Sequence, residues 1–241
     1  MIRSRRPSSP QAALLFAAGF GTRMGALTQD RPKPLIEVAG RPLIDHALSL
    51  IRPLGLGHVV ANLHYKAEML EAHLAPLGVK TSVEWPDILD TGGGLRQALP
   101  LLGPGEVFTL NSDAIWAGPN PLEMLRAAWD ASQMDALLIG IAPDRALGHK
   151  GAGDFTCDAE GRVMSRGPGL IYGGAQIISP KLLDQVPERA FSLNRVWDLM
   201  QAQGRLFVLE YPGQWCDVGH PDGIALAETL LAESLLADTH V

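Results

Sequence analysis

Two cysteines in 241 residues, Cys157 and Cys216, are too few for a disulfide framework or a cysteine metal knuckle. They read as small, semi-buried hydrophobes, and such sparing use fits a reducing compartment. Positive charge is also scarce: 20 Lys and Arg stand against 26 Asp and Glu, a net charge of −6. A duplex nucleic-acid binder would show a basic surplus, so that class is excluded. An anionic ligand must then be held by a few placed cations and backbone amides. No apolar run approaches the roughly eighteen residues of a membrane span. The run Ala12 to Ala18 follows Arg3, Arg5 and Arg6 and superficially resembles a signal peptide. It is at the short limit for one and breaks at Gly19. The expectation is a soluble cytoplasmic protein with no membrane partner and a frayed or disordered start at residues 1–10. Internal repeats are absent too, and no hexapeptide β-helix pattern follows the core.

What is present is ample apolar material, 46% of residues, and it is ordered in a pattern. Apolar runs at Ala12–Ala17, His58–Leu63, Val79–Glu84, Val107–Leu110 and Ala136–Ile141 read as strands. Amphipathic stretches between them, at Pro42–Ile51, Lys66–Leu74, Leu95–Leu99 and Pro121–Ala131, read as helices, the third opened by Gly92–Gly94. Such alternation predicts an α/β, doubly wound, mostly parallel sheet. After Pro143 the pattern changes. Residues 144–174 are glycine-rich, with short strands expected at Asp154–Cys157 and Leu170–Tyr172. A helix at Leu193–Gln203, a strand at Arg205–Tyr211 and a terminal helix at Pro221–Leu236 follow. In the last, Ile224, Ala227, Leu230, Leu231 and Leu235 share one face, which reads as a core stripe. No feature sets an oligomeric state.

The strongest motif is Leu15-Phe16-Ala17-Ala18-Gly19-Phe20-Gly21-Thr22-Arg23-Met24, followed by Pro32-Lys33-Pro34-Leu35. Glycines after a strand permit positive φ and close approach of backbone N–H groups to phosphate oxygens. Arg23 offers a fork for a pyrophosphate and Lys33 a point charge. The loop is not a Walker loop, and a dinucleotide fingerprint would need glycine where Met24 stands. A lone glycine pair would be a plain βα turn; the added Arg23 and Pro-Lys-Pro make phosphate binding the better reading.

On these residues the chain resembles the sugar-phosphate nucleotidyltransferases, which carry an LAAGxGTRM-like loop and a PKPL-like segment. The similarity extends through Glu84-Trp85-Pro86-Asp87-Ile88-Leu89-Asp90-Thr91-Gly92-Gly93-Gly94, where Asp90 replaces the commoner Glu. It continues in Leu110-Asn111-Ser112-Asp113, with Ser112 for the usual Gly, and in Trp215-Cys216-Asp217-Val218-Gly219, with His220 for Thr. Lys150 to Phe155 and Tyr172-Gly173-Gly174 resemble the loops that close over the sugar.

The resemblance implies a Rossmann-like, GT-A-like fold with a small β-rich sugar-binding part. One nucleotidyltransferase domain would span 11–241: a nucleotide-binding core at 12–143, the sugar-binding part at 144–220, and the terminal helix at 221–238. It implies nucleotidyl transfer from a nucleoside triphosphate to a sugar 1-phosphate, with Arg23 and Lys33 as the catalytic cations. Asp113 and Asp217 would bind Mg²⁺. Ala17, Ala18, Gly19, Gly21, Thr22, Glu84, Thr91, Gly92, Asn111, Gly153 and Asp154 would contact substrates. Many relatives carry a Glu-Lys-Pro whose lysine holds the sugar phosphate; here Met164-Ser165-Arg166-Gly167 stands instead, leaving Arg166 and Lys150 as candidates. His64, at a strand end, is read as structural or as touching substrate. A phosphate nucleophile is already anionic and needs no general base, which matches the lack of any Ser/His/Asp or Cys/His constellation. Within the family the chain looks most like the uridylyltransferases that act on N-acetylmuramate 1-phosphate in cell-wall recycling. GTP with mannose or heptose 1-phosphate is the second reading, a cytidylyltransferase acting on a phosphoalcohol the third. A non-catalytic nucleotide-sugar sensor is the alternative of another class.

Overall fold

The computed structural model describes residues 9–238. The frayed start expected at residues 1–10 falls mainly outside them; Pro10, inside, is buried. A seven-stranded sheet runs through the molecule. Its strands in chain order are β1 Ala12–Phe16, β2 His58–Leu63, β3 Lys80–Val83, β4 Val107–Asn111, β5 Ala136–Ile141, β6 Ile171–Ile178 and β7 Leu206–Glu210. Across the sheet the order is β7-β5-β6-β4-β1-β2-β3. Every neighbouring pair is parallel except those made by β6, which runs antiparallel between β4 and β5. The fold is the expected α/β, Rossmann-like one with a mostly parallel sheet.

Alternation along β1 builds two cores. Ala13 and Leu15 face one apolar cluster with Ile44, Leu48, Leu70 and Leu125. Those residues come from helices α1 Leu43–Ile51, α2 Ala67–Leu74 and α4 Pro121–Ala128. Ala12 and Leu14 face the other, with Leu95, Ala98, Val196 and Met200 of α3 Asp90–Leu102 and α5 Asn194–Ala202. Strand residues point alternately to the two faces, so helices on both sides demand apolar residues at every position. A third cluster holds Met24, Ile36, Cys216, Val218 and the terminal helix α6, Asp222–Asp238. Ala227 and Leu230 of α6 are buried there, whereas Leu235 of the expected core stripe is 69% exposed.

Three expectations are corrected. The glycines 92–94 do not open a short helix; they lie inside α3, which runs from Asp90 to Leu102. The helix at Pro121 stops at Ala128 rather than Ala131. The short strand at Leu170–Tyr172 is the start of the eight-residue β6, and the 144–220 segment also supplies β7, so this part is woven into the main sheet. Gly173 and Gly174 hide β6 from a sequence reading. Gly174 adopts φ +86° and the register with β5 shifts between Tyr172 and Gln176, the irregularity that glycine in a strand marks.

The connections place a crevice. The chain leaves β1 toward β2 and β3 on one side, then crosses to β4 on the other, so the strand order reverses at β1 and β4. In such sheets the ligand crevice lies outside the carboxyl ends of the strands at that reversal. Phe16 and Asn111, the last residues of β1 and β4, are paired in register.

Candidate active site

A cleft of about 330 Å³ opens at that point, lined by Phe16 to Gly19, Gly21, Thr22, Arg23, Lys33, Asn62, Thr91, Asn111, Asp113 and Gly219, among others. The glycine loop forms its floor. Gly21 has φ +64°, and a Cβ there would come within 2.8 Å of Lys33 Cβ, so only glycine lets the loop sit this close to the lysine. Met24, where a dinucleotide site would need glycine, is 1% exposed and belongs to the third core. Lys33 sits in a short 3-10 turn, Lys33–Leu35, fixed by Leu35 N–H donating to Pro32 O (2.9 Å). Its ammonium reaches Asp113 Oδ2 at 2.6 Å.

A second small sheet brings the two candidate metal aspartates together. Ala114–Ala117 pairs antiparallel with Gln214–Asp217, with Asp217 opposite Ala114. Val218 N–H donates to Asp113 O at 3.0 Å. Burial and then the Asp113 charge raise the pKa of Asp217 above its ordinary value, against smaller opposing effects of Lys33 and Arg23. A Cβ on Gly219 would lie 3.0 Å from both Asp217 carboxylate oxygens and 3.2 Å from Arg23 Nη1. Among the described residues no group of three or more His, Cys, Asp or Glu is arranged to hold a metal. Two carboxylates close enough for their charges to interact still fit a hard divalent cation such as Mg²⁺, which keeps several waters and takes phosphate oxygens beside one or two carboxylates.

Two of the departures from the family pattern, Ser112 and His220, have structural partners. Ser112 Oγ donates to Phe16 O at 2.7 Å, tying the ends of β4 and β1. His220 Nε2 accepts from Arg23 Nη1 at 3.5 Å, linking the Asp217 segment to the glycine loop. Asp90 also has a local reason. It adopts φ +58°, which Asp tolerates better than most residues, and its short side chain accepts from Thr91 N–H at 2.6 Å.

Glu84 and Gly92 are not where a substrate-contact reading puts them. Glu84 is 1% exposed. Its two oxygens accept from Asn62 Nδ2 (2.7 Å) and Leu89 N–H (2.6 Å), while Asn62 Oδ1 accepts from Ala17 N–H at 3.0 Å. Burial raises the Glu84 pKa, partly offset by those two hydrogen bonds. Glu84 therefore acts on the glycine loop through Asn62, which lines the cleft in its place. Sequence reasoning misses Asn62 as a site residue; its one signal is a lone amide near the end of an apolar strand. Gly92 is buried, and its N–H, like that of Gly93, donates to Phe191 O. A Cβ on Gly92 would sit 2.3 Å from the Phe191 ring, so this glycine serves helix packing.

A second cleft of about 280 Å³ shares Phe16, Asp90, Thr91 and Asn111 with the first and adds Asp154, Phe155, Arg166, Tyr172, Asn194 and Trp197. Asp154 Oδ2 accepts from Tyr172 N–H at 2.8 Å. Gly153 lies behind it; its φ is +117°, and a Cβ would be 2.3 Å from Gly169 N. Of the two cation candidates, Arg166 lines this cleft, whereas Lys150 is exposed and lines neither. His64 lines neither as well: its Nδ1 bonds Glu84 O at 3.0 Å and its ring lies edge-on to Phe20 at 5.2 Å.

Comparison with known proteins agrees with this geometry. The family model described as the MobA-like NTP transferase domain matches residues 13–235. The chain is 39% identical to an N-acetylmuramate alpha-1-phosphate uridylyltransferase of Caulobacter vibrioides, over 94% of this chain and 99% of that protein. It is 29% identical to a mannose-1-phosphate guanylyltransferase catalytic subunit beta of Dictyostelium discoideum, over 92% of this chain and 65% of that protein. Among solved structures, the inositol-1-phosphate CTP transferase from T. maritima superposes with a TM-score of 0.77 at 17% identity, covering 94% of this chain and 97% of that one. Glycine loop, cations and neighbouring aspartates at the sheet reversal thus coincide with a family match over nearly the whole chain: it belongs to the MobA-like NTP transferase domain family and is a nucleotidyltransferase.

Proposed function

We propose that this protein transfers a uridylyl group from UTP to N-acetylmuramate 1-phosphate, releasing pyrophosphate, as a Mg²⁺-dependent cytoplasmic enzyme of cell-wall sugar recycling. The observation that carries the transfer reading is the convergence of Arg23, Lys33 and Asp113 on one cleft beside Asp217. The choice of UTP and N-acetylmuramate 1-phosphate rests on the similarity to the Caulobacter uridylyltransferase, which covers both chains almost end to end.

In this reading a sugar-phosphate oxygen attacks the α-phosphorus. A new P–O bond forms, the α–β bridging P–O bond breaks, and its electron pair leaves on pyrophosphate. The attacking oxygen is anionic at neutral pH, so no residue has to take a proton. The barrier is then one of bringing anions together and stabilising charge on the leaving group. Lys33 neutralises the α-phosphoryl oxygens and Arg23 the departing β,γ unit. Backbone groups of Ala18 to Thr22 hold the triphosphate, and Thr91 and Asn111, on the wall common to both clefts, orient the two substrates. Asp113 and Asp217 would hold Mg²⁺, whose charge would neutralise phosphate oxygens when bound.

Mannose-1-phosphate guanylyltransferases at about 29% identity favour a second reading, GTP with a hexose 1-phosphate. Pyrophosphate release, measured for four triphosphates against several sugar 1-phosphates, tests both. Release with UTP and N-acetylmuramate 1-phosphate above all other pairs is the expected result. A best rate with GTP and mannose 1-phosphate would replace it, and tight nucleotide binding without release would point to a sensor.

A further inference from the structure

The second cleft carries a cation that the transfer as derived does not use. The Arg166 guanidinium lies 4.7 Å from the centre of the Phe155 ring and 5.5 Å from that of Trp197. Nη1 donates to Asn194 Oδ1 (3.1 Å), and Nη2 to Asn194 O (3.3 Å) and Asp198 Oδ1 (3.0 Å). A guanidinium has five N–H groups, so these three bonds leave two without a protein partner among the described residues. The Asp198 carboxylate is 61% exposed, and an ion pair so open to water holds its arginine weakly. The aromatic stack and Asn194 fix the plane of the fork before any ligand arrives.

Position separates Arg166 from the phosphate chemistry. Arg23, Lys33 and Asp113 line only the first cleft, and Arg166 lines only the second. An acceptor that reaches both keeps its phosphate toward the shared wall of Phe16, Thr91 and Asn111, and extends its ring toward Arg166. Among the Lys and Arg side chains of the described residues, Arg166 is the one that lines this second cleft.

We propose that Arg166 determines acceptor specificity by binding a carboxylate carried on the sugar itself, so that the acceptors are sugar-acid 1-phosphates. This rests on the sugar 1-phosphate reading above. A planar carboxylate matches a guanidinium edge in two parallel hydrogen bonds. With both Nη2 protons engaged, it gains that edge by displacing the exposed Asp198 carboxylate from Nη2, and the Phe155 and Trp197 walls strengthen the new pair by excluding water. A neutral sugar offers only hydroxyl and amide oxygens, which do not displace Asp198 from the cation.

Two acceptors that differ only in the acid-bearing lactyl ether test this: N-acetylmuramate 1-phosphate and N-acetylglucosamine 1-phosphate, which lacks it. Turnover with UTP and direct calorimetric binding are measured on the full chain, on Arg166→Gln and on Arg166→Lys, with melting temperatures to verify folding. Arg166→Gln is expected to raise the KM and Kd for the acid sugar by about thirtyfold, the loss of one charge-assisted pair. Its kcat and its binding of the neutral sugar stay within about threefold, and Arg166→Lys recovers part of the loss. Equal weakening of both sugars would overturn the proposal, because Arg166 would then hold the phosphate common to them. No change with either sugar would overturn it also, leaving Arg166 a brace between Asn194 and Asp198. If no triphosphate supports turnover, the transfer reading falls; selective loss of acid-sugar binding in Arg166→Gln would still uphold the assignment, and no binding of either sugar to the unmodified chain would end both.

Discussion

The ammonium of Lys33 and the carboxylate of Asp113 meet at 2.6 Å across a separation of 80 positions. The lysine is 8% exposed, in a 3-10 turn, and the aspartate follows directly after β4 and Ser112. The pair ties a cation that lines the first cleft to one of the two candidate metal ligands. Asp113→Asn is expected to lower the rate of pyrophosphate release by at least about a hundredfold, as loss of one electrostatic stabiliser does. Near-normal turnover with Mg²⁺ supplied would remove Asp113 from the metal role.

Asp217 is the other candidate metal ligand. Burial and the Asp113 charge hold its pKa above the ordinary 3.8. A carboxyl whose folded value is raised favours folding below its unfolded pKa, and that contribution is lost as pH rises through the folded value. Without divalent cations, Asp217→Asn is expected to melt at or up to about 3 °C above the unmodified chain at pH 8, a shift that corresponds to about 1 kcal/mol. The difference should shrink toward pH 4, and Mg²⁺ should stabilise only the unmodified chain. Thermal melts in chelator at both pH values check it; a variant that melts well below the parent at pH 8 contradicts the sign.

Glu84 must offer two acceptors, one to Asn62 Nδ2 and one to Leu89 N–H. A glutamine has one acceptor oxygen and sets an NH₂ against a donor. Glu84→Gln is therefore expected to cost about 1–3 kcal/mol of stability and to raise the KM for the triphosphate, because Asn62 loses its hold on Ala17. Denaturant melts and nucleotide KM values, with Asn62→Ala and the double variant, check the coupling; strictly additive effects would refute the relay.

Two glycines of the motifs do different work. A Cβ on Gly19, which faces the first cleft, would meet nothing within 4 Å, whereas a Cβ on Gly92 meets Phe191 at 2.3 Å. Gly19→Ala is expected to leave the melting temperature unchanged and raise the triphosphate KM. Gly92→Ala is expected to lower the melting temperature by about 4–10 °C, the cost of overpacking a tight contact. Melting curves and KM values for both separate the roles, and the reverse pattern would exchange them.

Local sequence is enough to set the parallel strands β1, β2, β4 and β5, because helices on both faces force their uninterrupted apolar runs. It also marks Arg23 and Lys33 beside the glycine loop, while the metal role of Asp113 and Asp217 comes from the family segments they stand in, since a lone aspartate after a strand reads equally as a cap or turn. What lies far apart in the chain has no such signature. The course of β6 is obscured by Gly173 and Gly174, whose irregular backbone only makes sense between β4 and β5. Glu84 carries the same letters as a contact residue, and only the packing of Asn62, Leu89 and Gly94 around it shows a buried brace. Arg166 and Lys150 are equal candidates in the sequence; the fold stacks Arg166 on Phe155 and Trp197 and leaves Lys150 outside both clefts. Residue type and strand periodicity are local quantities, and the sequence determines them by itself. Which carboxylate faces a ligand and which is sealed behind an amide depends on contacts between distant segments, and those exist only once the chain has closed.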